Sequence, residues 1–147
     1  MSGIQNKLTY AGIVPVTGLE AAAGMSRGEI ISVISDSGHR GRGGAAFPTG
    51  IKWNLATAAK DEVKYIICNA DEGEPGTFKD REILKKHADL VFEGMTIAGK
   101  AVGAVRGILY LRAEYNRFKS DLEKELVRRR EAGLVGKNIL GCEGFDF

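Results

Sequence analysis

An α/β fold, a parallel sheet flanked by helices, is predicted by the order and periodicity of the apolar segments. Two short runs rich in β-branched and aromatic residues, Val63–Asn69 and Ile108–Leu111, are separated by helical patterns over 78–87 and 88–102. A third helical pattern follows over 116–132. Strands that alternate with helices are joined by crossovers, which call for a parallel sheet with right-handed connections. Glycine is the other signal: it makes up 20 of 147 residues, about twice ordinary usage, and it is clustered rather than spread through a linker. A chain of this length is the size of one domain.

Residues 1–24 show no clear period and carry Pro15 and Gly18, so they are expected to be an irregular lead-in. Ser26 and Glu29 then have capping-box spacing, and Ile30, Val33 and Ile34 share a face, predicting a short helix that ends near Asp36. The glycine-rich loop Ser37–Gly50 follows, and a helix is expected over 51–59. Val63–Asn69 fits a strand buried on both faces, and it leads into a polar, acidic turn, 69–77. In the helix pair beyond it, Glu82 and Lys86 have i,i+4 spacing, and Gly99 and Gly103 predict close packing or a helix end. Gly107–Tyr115 is expected as a second strand, built on Ile108–Leu111, then a helix stepping Phe118, Leu122 and Leu126 along one face until Gly133 and Gly136 stop it. The tail from Asn138 reads as the opening of one more strand, which would leave the sheet unfinished.

Composition narrows the functional classes. Lys and Arg total 21 against 19 Asp and Glu, a net charge of +2, too small to favour nucleic acid or an anionic membrane as partner. No segment approaches the roughly 20 apolar residues of a membrane span. The cysteines Cys68 and Cys142 lie far apart and outside any metal-ligand spacing, so a disulfide-stapled secreted domain is not expected, and Cys68 reads as an inert thiol. With no signal-peptide pattern, a cytoplasmic location is expected, without direct membrane insertion.

Two segments carry chemistry. Gly41-x-Gly43-x-x-Ala46 formally meets a dinucleotide pattern but follows a helix rather than a strand. Its physical logic still suits an anion: glycines let main-chain N–H groups approach, the next helix offers its N-terminus, and Arg40, Arg42 and Lys52 add positive charge. The alternative is a flexible basic loop. Asp71, Glu72 and Glu74 at a strand's carboxyl end could hold a divalent metal, accept hydrogen bonds from a ribose or amide, act as acid and base, or form a solvated turn. Phe47 could be a platform for a ring system or a plug onto the core. Trp53 reads as core, and Arg128-Arg129-Arg130 as a solvated helix end.

The segments 37–53 and 68–82 together closely resemble the flavin-bearing, NADH-oxidising subunit of respiratory complex I and the diaphorase subunits of NAD-linked hydrogenases and formate dehydrogenases. The likeness continues through Glu93-Gly94-Met95, Arg112-Ala113-Glu114-Tyr115 and 136–141, covering about residues 25–147. It implies the N-terminal part of a Rossmann-like FMN- and NADH-binding domain. On that resemblance Gly41, Arg42, Gly43, Gly44 and Lys52 surround the flavin phosphate and ribityl chain, and Asn69, Asp71 and Glu72 contact the flavin. Phe47 and Glu74 face NADH. Hydride passes directly from nicotinamide to flavin, so no side chain serves as a catalytic acid or nucleophile, and no metal site is implied here.

The resemblance further implies a thioredoxin-like iron–sulfur subunit and other subunits of a redox complex as partners. It implies an iron–sulfur cluster in a C-terminal region that these residues do not include, beside a downstream flavin segment and a ubiquitin-like domain. The expected activity is therefore that of an NADH dehydrogenase of which this chain carries half the site. The alternative is a non-enzymatic nucleotide-binding or assembly module that retains the glycine loop. Ala46 stands where the family usually has Gly and His39 where it usually has Leu. If position 46 needs a positive φ, its methyl group is unfavourable by roughly 1 kcal/mol.

Overall fold

The computed structural model describes residues 13–140 and 142–147, without the side chains of Cys142 and Glu143. Residues 1–12 of the expected lead-in and Gly141 lie outside it. In chain order the elements are α1 (Thr17–Ala23), α2 (Arg27–Asp36), α3 (Thr49–Ala58), β1 (Tyr65–Ala70), α4 (Lys79–Lys86), α5 (Ala88–Val102), β2 (Arg106–Leu111), a 3₁₀ helix (Ala113–Phe118), α6 (Lys119–Glu131), β3 (Gly136–Ile139) and β4 (Cys142–Phe145). Strands β1 and β2 pair in parallel, from Tyr65 opposite Arg106 to Ala70 opposite Leu111, with α4 and α5 forming the crossover. Parallel sheet and flanking helices are thus as expected.

Helix α5 is the centre of the packing, in contact with α1, α2, α3, α4, α6, β1, β2 and β4. It buries Phe92, Met95, Ala98, Ala101 and Val102, and its small residues let neighbours approach closely. One apolar cluster joins Phe92 and Met95 to Ala70, Leu84 and Leu122; another joins Val102 to Leu19, Leu134, Ile139 and Phe145. Trp53 packs partly buried between α1, α2 and α5, as a core residue would. Helix α2 is held by the expected capping box, with the Glu29 N–H donating to Ser26 Oγ at 3.3 Å and the Ser26 N–H to Glu29 Oε2 at 2.7 Å. Lys86 and Glu82 pair at 2.6 Å.

Five expectations are corrected. The lead-in contains α1, whose cap comes from far along the chain: the N–H groups of Val16 and Leu19 donate to the buried Glu93 carboxylate at 2.6 and 3.1 Å. A seven-residue helix capped in this way leaves no periodic trace. The second strand ends at Leu111 rather than reaching Tyr115, because Arg112 makes the last ladder bond, to Ala70 O at 3.2 Å, and the chain then turns into the 3₁₀ helix. Third, β1 and β2 are covered on one face only: Ile66, Cys68, Leu109 and Leu111 pack towards α5 and α6, whereas Tyr65 and Ile67 are 54% and 64% exposed.

The tail is a β3–β4 antiparallel hairpin rather than a lone strand opening, turning at Leu140 with φ 49°. It is hydrogen-bonded to the main sheet just past β4, where Asp146 bridges Arg106 in parallel and its carbonyl accepts from the Gly107 N–H at 2.8 Å. Finally, Arg129 is not solvated. It is fully buried, donates Nη1 to Asp89 O at 3.2 Å, and finds no partner for Nε or Nη2 among the described residues. Its neighbours Arg128 and Arg130 pair with Glu125 and Asp146 at 2.7 and 2.8 Å.

Two glycines of α5 should respond oppositely to the same change. A Cβ on Gly99 would lie 2.5 Å from the Phe145 ring, whereas one on Gly94 meets nothing within 4 Å. Gly94→Ala should therefore stabilise the protein by about 0.5–1 kcal/mol through helix propensity. Gly99→Ala should destabilise it by about 1–3 kcal/mol through overpacking. Urea unfolding of both variants checks the pair; the same sign for both would show that α5 is not packed against β4 as described.

Candidate functional site

The glycine-rich loop is a closed ribbon between α2 and α3. At its base the Thr49 N–H donates to His39 O at 2.9 Å and the Gly41 N–H to Phe47 O at 3.0 Å, while Arg40 bridges Pro48. Arg40 Nη1 braces the loop from within by donating to Ala46 O at 3.1 Å, and His39 Nδ1 lies 2.8 Å from Thr49 Oγ1. Arg40 is thus engaged, and Arg42, Gly43 and Gly44 are left at an exposed tip. Phe47 is 50% exposed.

Helix α3 starts directly from this ribbon, with Pro48 as N-cap and no side-chain cap. The Gly50 and Ile51 N–H groups of its first turn have no intrahelical acceptor, so the positive end of the helix faces the loop. Lys52, exposed, sits on the same turn. Gly50 is required by packing, because a Cβ there would fall 2.0 Å from Ser35 Oγ and 2.9 Å from Ser35 Cα on α2. Ala46 adopts φ 52°, in the left-handed region. Its methyl group carries the penalty expected for position 46.

The acidic turn leaves the carboxyl end of β1. Asn69 Oδ1 accepts the Asp71 N–H at 3.1 Å, and the turn is closed by Gly73 N–H to Asp71 O at 3.1 Å and Thr77 N–H to Glu74 O at 3.2 Å. Asp71 and Glu74 are exposed; Glu72 is not. At 4% exposure its carboxylate takes the place of a side-chain cap on α4, accepting from the Asp80 N–H at 2.9 Å and the Arg81 N–H at 3.4 Å. The Tyr115 hydroxyl donates to Glu72 Oε2 at 2.7 Å, and Lys79 Nζ stands 3.7 Å from Oε1. Burial pushes the Glu72 carboxyl up, but the Asp80 N–H, the Tyr115 hydroxyl, the Arg81 N–H and Lys79 outweigh it and hold it below its ordinary value.

The three carboxylates of the turn therefore diverge, and among the described residues no group of three His, Cys, Asp or Glu is gathered for a metal ion. Cys68, half-buried on β1, has its thiol pushed up by burial and then by Asp80, which suits an inert role. Hydrogen bonds of the glycine loop run within the loop and to α2 and α3, while those of the acidic turn run to α4 and the 3₁₀ helix. Two braced clusters result, one carrying Arg42 and Lys52 beside the first turn of α3, the other presenting carboxylates. This donor set fits a phosphate-bearing cofactor at the first cluster. A cavity of about 810 Å³ lies elsewhere, beside β2, with Leu109, Leu111, Leu122 and Leu126 in its lining.

Arg112 and Tyr115 are the residues of this region to which the sequence assigned no role. Arg112 Nη1 donates to the Glu72 carbonyl and Nη2 to Glu114 Oε1 at 2.7 Å, an exposed pair that holds Glu114 down to about 2. Their contacts span 40 and 43 positions of sequence, which no local pattern reveals.

Two outcomes follow from these contacts. Ala46→Gly should stabilise the protein by about 0.5–1 kcal/mol, since relief of the left-handed penalty exceeds the added chain entropy; a loss of stability in chemical denaturation would refute the strained loop. Because the native Glu72 pKa lies below its ordinary 4.5, its contribution is complete above that pH and disappears as pH falls through the lowered native value. Unfolding free energies of the wild type and Glu72→Gln should thus differ most at about pH 7 and converge in acid; a gap independent of pH would refute the ionised cap.

Comparison with known proteins places these features. Residues 34–143 match the Nuo51 FMN-binding domain. The chain is 56% identical over 119 residues to the alpha subunit of the NAD-reducing hydrogenase HoxS of Cupriavidus necator, covering 81% of this chain and 20% of that protein. It is 46% identical over 138 residues to the NADP-reducing hydrogenase subunit HndC of Solidesulfovibrio fructosivorans, and 47% identical over 131 residues to a subunit of the NADH-quinone oxidoreductase of Escherichia coli. Those matches cover 94% and 87% of this chain, and 28% and 29% of the relatives. The fold superposes on a chain in the crystal structure of the NAD+-reducing [NiFe]-hydrogenase in the H2-reduced state with a TM-score of 0.78 and 41% identity, over 87% of this chain and 23% of that one. The chain thus spans less than a third of the relatives it matches, and by the matched residues and by their shared fold it belongs to the Nuo51 FMN-binding domain family.

Proposed function

We propose that this chain supplies the FMN- and NADH-facing part of an NADH-oxidising flavoprotein subunit. The observation that carries the reading is the exposed glycine ribbon running into an uncapped helix N-terminus, within the segment matched to the FMN-binding family. Bound FMN supplies a ring that accepts hydride from nicotinamide and can release the electrons singly to iron–sulfur centres.

The chain's own residues bind and orient. Gly41, Gly43 and Gly44 let the main chain approach the cofactor, and Arg42 and Lys52, with the first turn of α3, offset phosphate charge. Asn69 and Asp71 line the flavin side of the acidic turn, and Glu72 supports it from behind, its carboxylate being committed to α4 and Tyr115. The half-exposed Phe47 ring stacks on NADH, and the exposed Glu74 carboxylate favours the cationic, oxidised nicotinamide over the neutral reduced form. Positioning and electrostatics carry the catalysis, without a protein nucleophile or proton donor. NADH is the electron donor, and a thioredoxin-like iron–sulfur subunit with other redox subunits receives the electrons.

Titration of FMN with the purified protein, followed by quenching of flavin fluorescence, tests this reading. Saturable binding is expected, with Arg42→Ala and Lys52→Ala each weakening it about tenfold, less so in high salt. Absence of saturable flavin binding, or nucleotide binding that requires magnesium and no flavin, would overturn it.

A further inference from the structure

Two exposed carboxylates can orient a ligand only if the turn carrying them is held still, and this turn has few contacts of its own. Its internal hydrogen bonds among the described residues join Asn69 to Asp71, Asp71 to Gly73 and Glu74 to Thr77, and Gly73 and Gly76 leave its main chain free to rearrange. What fixes it comes from the adjacent strand. Arg112, the residue after β2, donates its N–H to Ala70 O and Nη1 to Glu72 O, holding the main chain on both sides of Asp71. Tyr115, buried one 3₁₀ turn later, holds the Glu72 carboxylate against the α4 N-terminus.

We infer that Arg112 and Tyr115 are positioning residues for the acidic turn, acting through Glu72 to set the direction in which Asp71 and Glu74 meet the flavin nucleotide. The inference rests on the proposed FMN reading for its ligand but not for its geometry. Glu72 is the joint of the device, gripped by its carbonyl from Arg112 and by its carboxylate from Tyr115, Asp80 and Arg81. A tyrosine hydroxyl on a carboxylate and a guanidinium N–H on a carbonyl are directional contacts, so they fix orientation as well as proximity. The second nitrogen of Arg112 pairs with the exposed Glu114 carboxylate, outside the turn.

The test compares the wild type with Tyr115→Phe, which removes one oxygen from a buried ring, and Arg112→Lys, which keeps the charge but loses the fork. Glu114→Gln, which touches only the outer ion pair, is the control. Amide hydrogen exchange over 71–77 and the FMN dissociation constant are measured under conditions where near-ultraviolet circular dichroism shows each variant folded. Both substitutions should accelerate exchange in 71–77 about tenfold, with α5 unchanged, and weaken FMN binding about fivefold or more, while Glu114→Gln stays within about twofold. In Tyr115→Phe the acidic limb of FMN affinity should also move to higher pH, because Glu72 loses a donor while Lys79, Asp80, Arg81 and Arg112 remain around it; a purely structural role would not move that limb.

Unchanged exchange in both variants would overturn the inference, as would faster exchange with unchanged FMN affinity in a wild type that binds FMN. If the wild type does not bind FMN, the functional reading fails while exchange over 71–77 still decides whether Arg112 and Tyr115 hold the turn. Should one variant fail to fold, the other carries the same comparison.

Discussion

The burial of α5 is the constraint around which the other elements are arranged. A helix apolar on most of its circumference has to be surrounded, and α5 is covered by α1 to α3, by α4 and α6, and by the parallel pair β1–β2. Its small residues allow this: Gly99 accommodates the Phe145 ring, and Ala98 and Ala101 sit buried where larger side chains would hold the neighbouring helices apart. Once α5 is placed, the sheet is placed, because the inward faces of Ile66, Cys68, Leu109 and Leu111 share its cluster. The carboxyl ends of the strands, and with them the acidic turn, are then oriented by packing that contains no functional residue.

Buried carboxylates perform the second level of organisation. Glu93 caps α1 and Glu72 caps α4, each replacing a local N-cap with an acceptor distant in sequence. A buried carboxylate is tolerated only with such a set of donors, and the donors here include main-chain N–H groups at helix N-termini. The consequence differs in the two places. Glu93 fastens the first helix to the core, whereas Glu72 fastens the turn that presents Asp71 and Glu74. The glycine loop is organised differently, by main-chain bonds at its base and by Arg40 inside it, so that its tip is free for a ligand.

Much of this was legible in the sequence because it is local. The α2 capping box, the Glu82–Lys86 pair, the breaks at Gly103 and Gly133, the alternation of strand and helix, and the two polar loops at their positions all depend on residues within a few positions of one another. Arg42, Lys52, Asp71 and Glu74 were legible as charged groups in or beside the two polar loops for the same reason. Position 46 was legible as a point of backbone strain once the family pattern was set beside it, and its φ of 52° gives that strain a physical form.

Periodicity, glycine content and charge are properties of neighbouring residues, and they were enough to set the class of fold and the place of the two loops, while the flavin and nicotinamide ligands came only from the resemblance to a known family. Which carboxylates are free and which are structural was settled by packing. It turned Glu72 inward onto α4 and Tyr115, left Glu74 in solvent, buried Arg129 within a run of three arginines, made a helix of the lead-in by lending it Glu93, and folded the tail into a hairpin. Those outcomes follow from contacts spanning 40 to 77 positions in most cases, and they depend on which groups the burial of α5 brings within reach of one another.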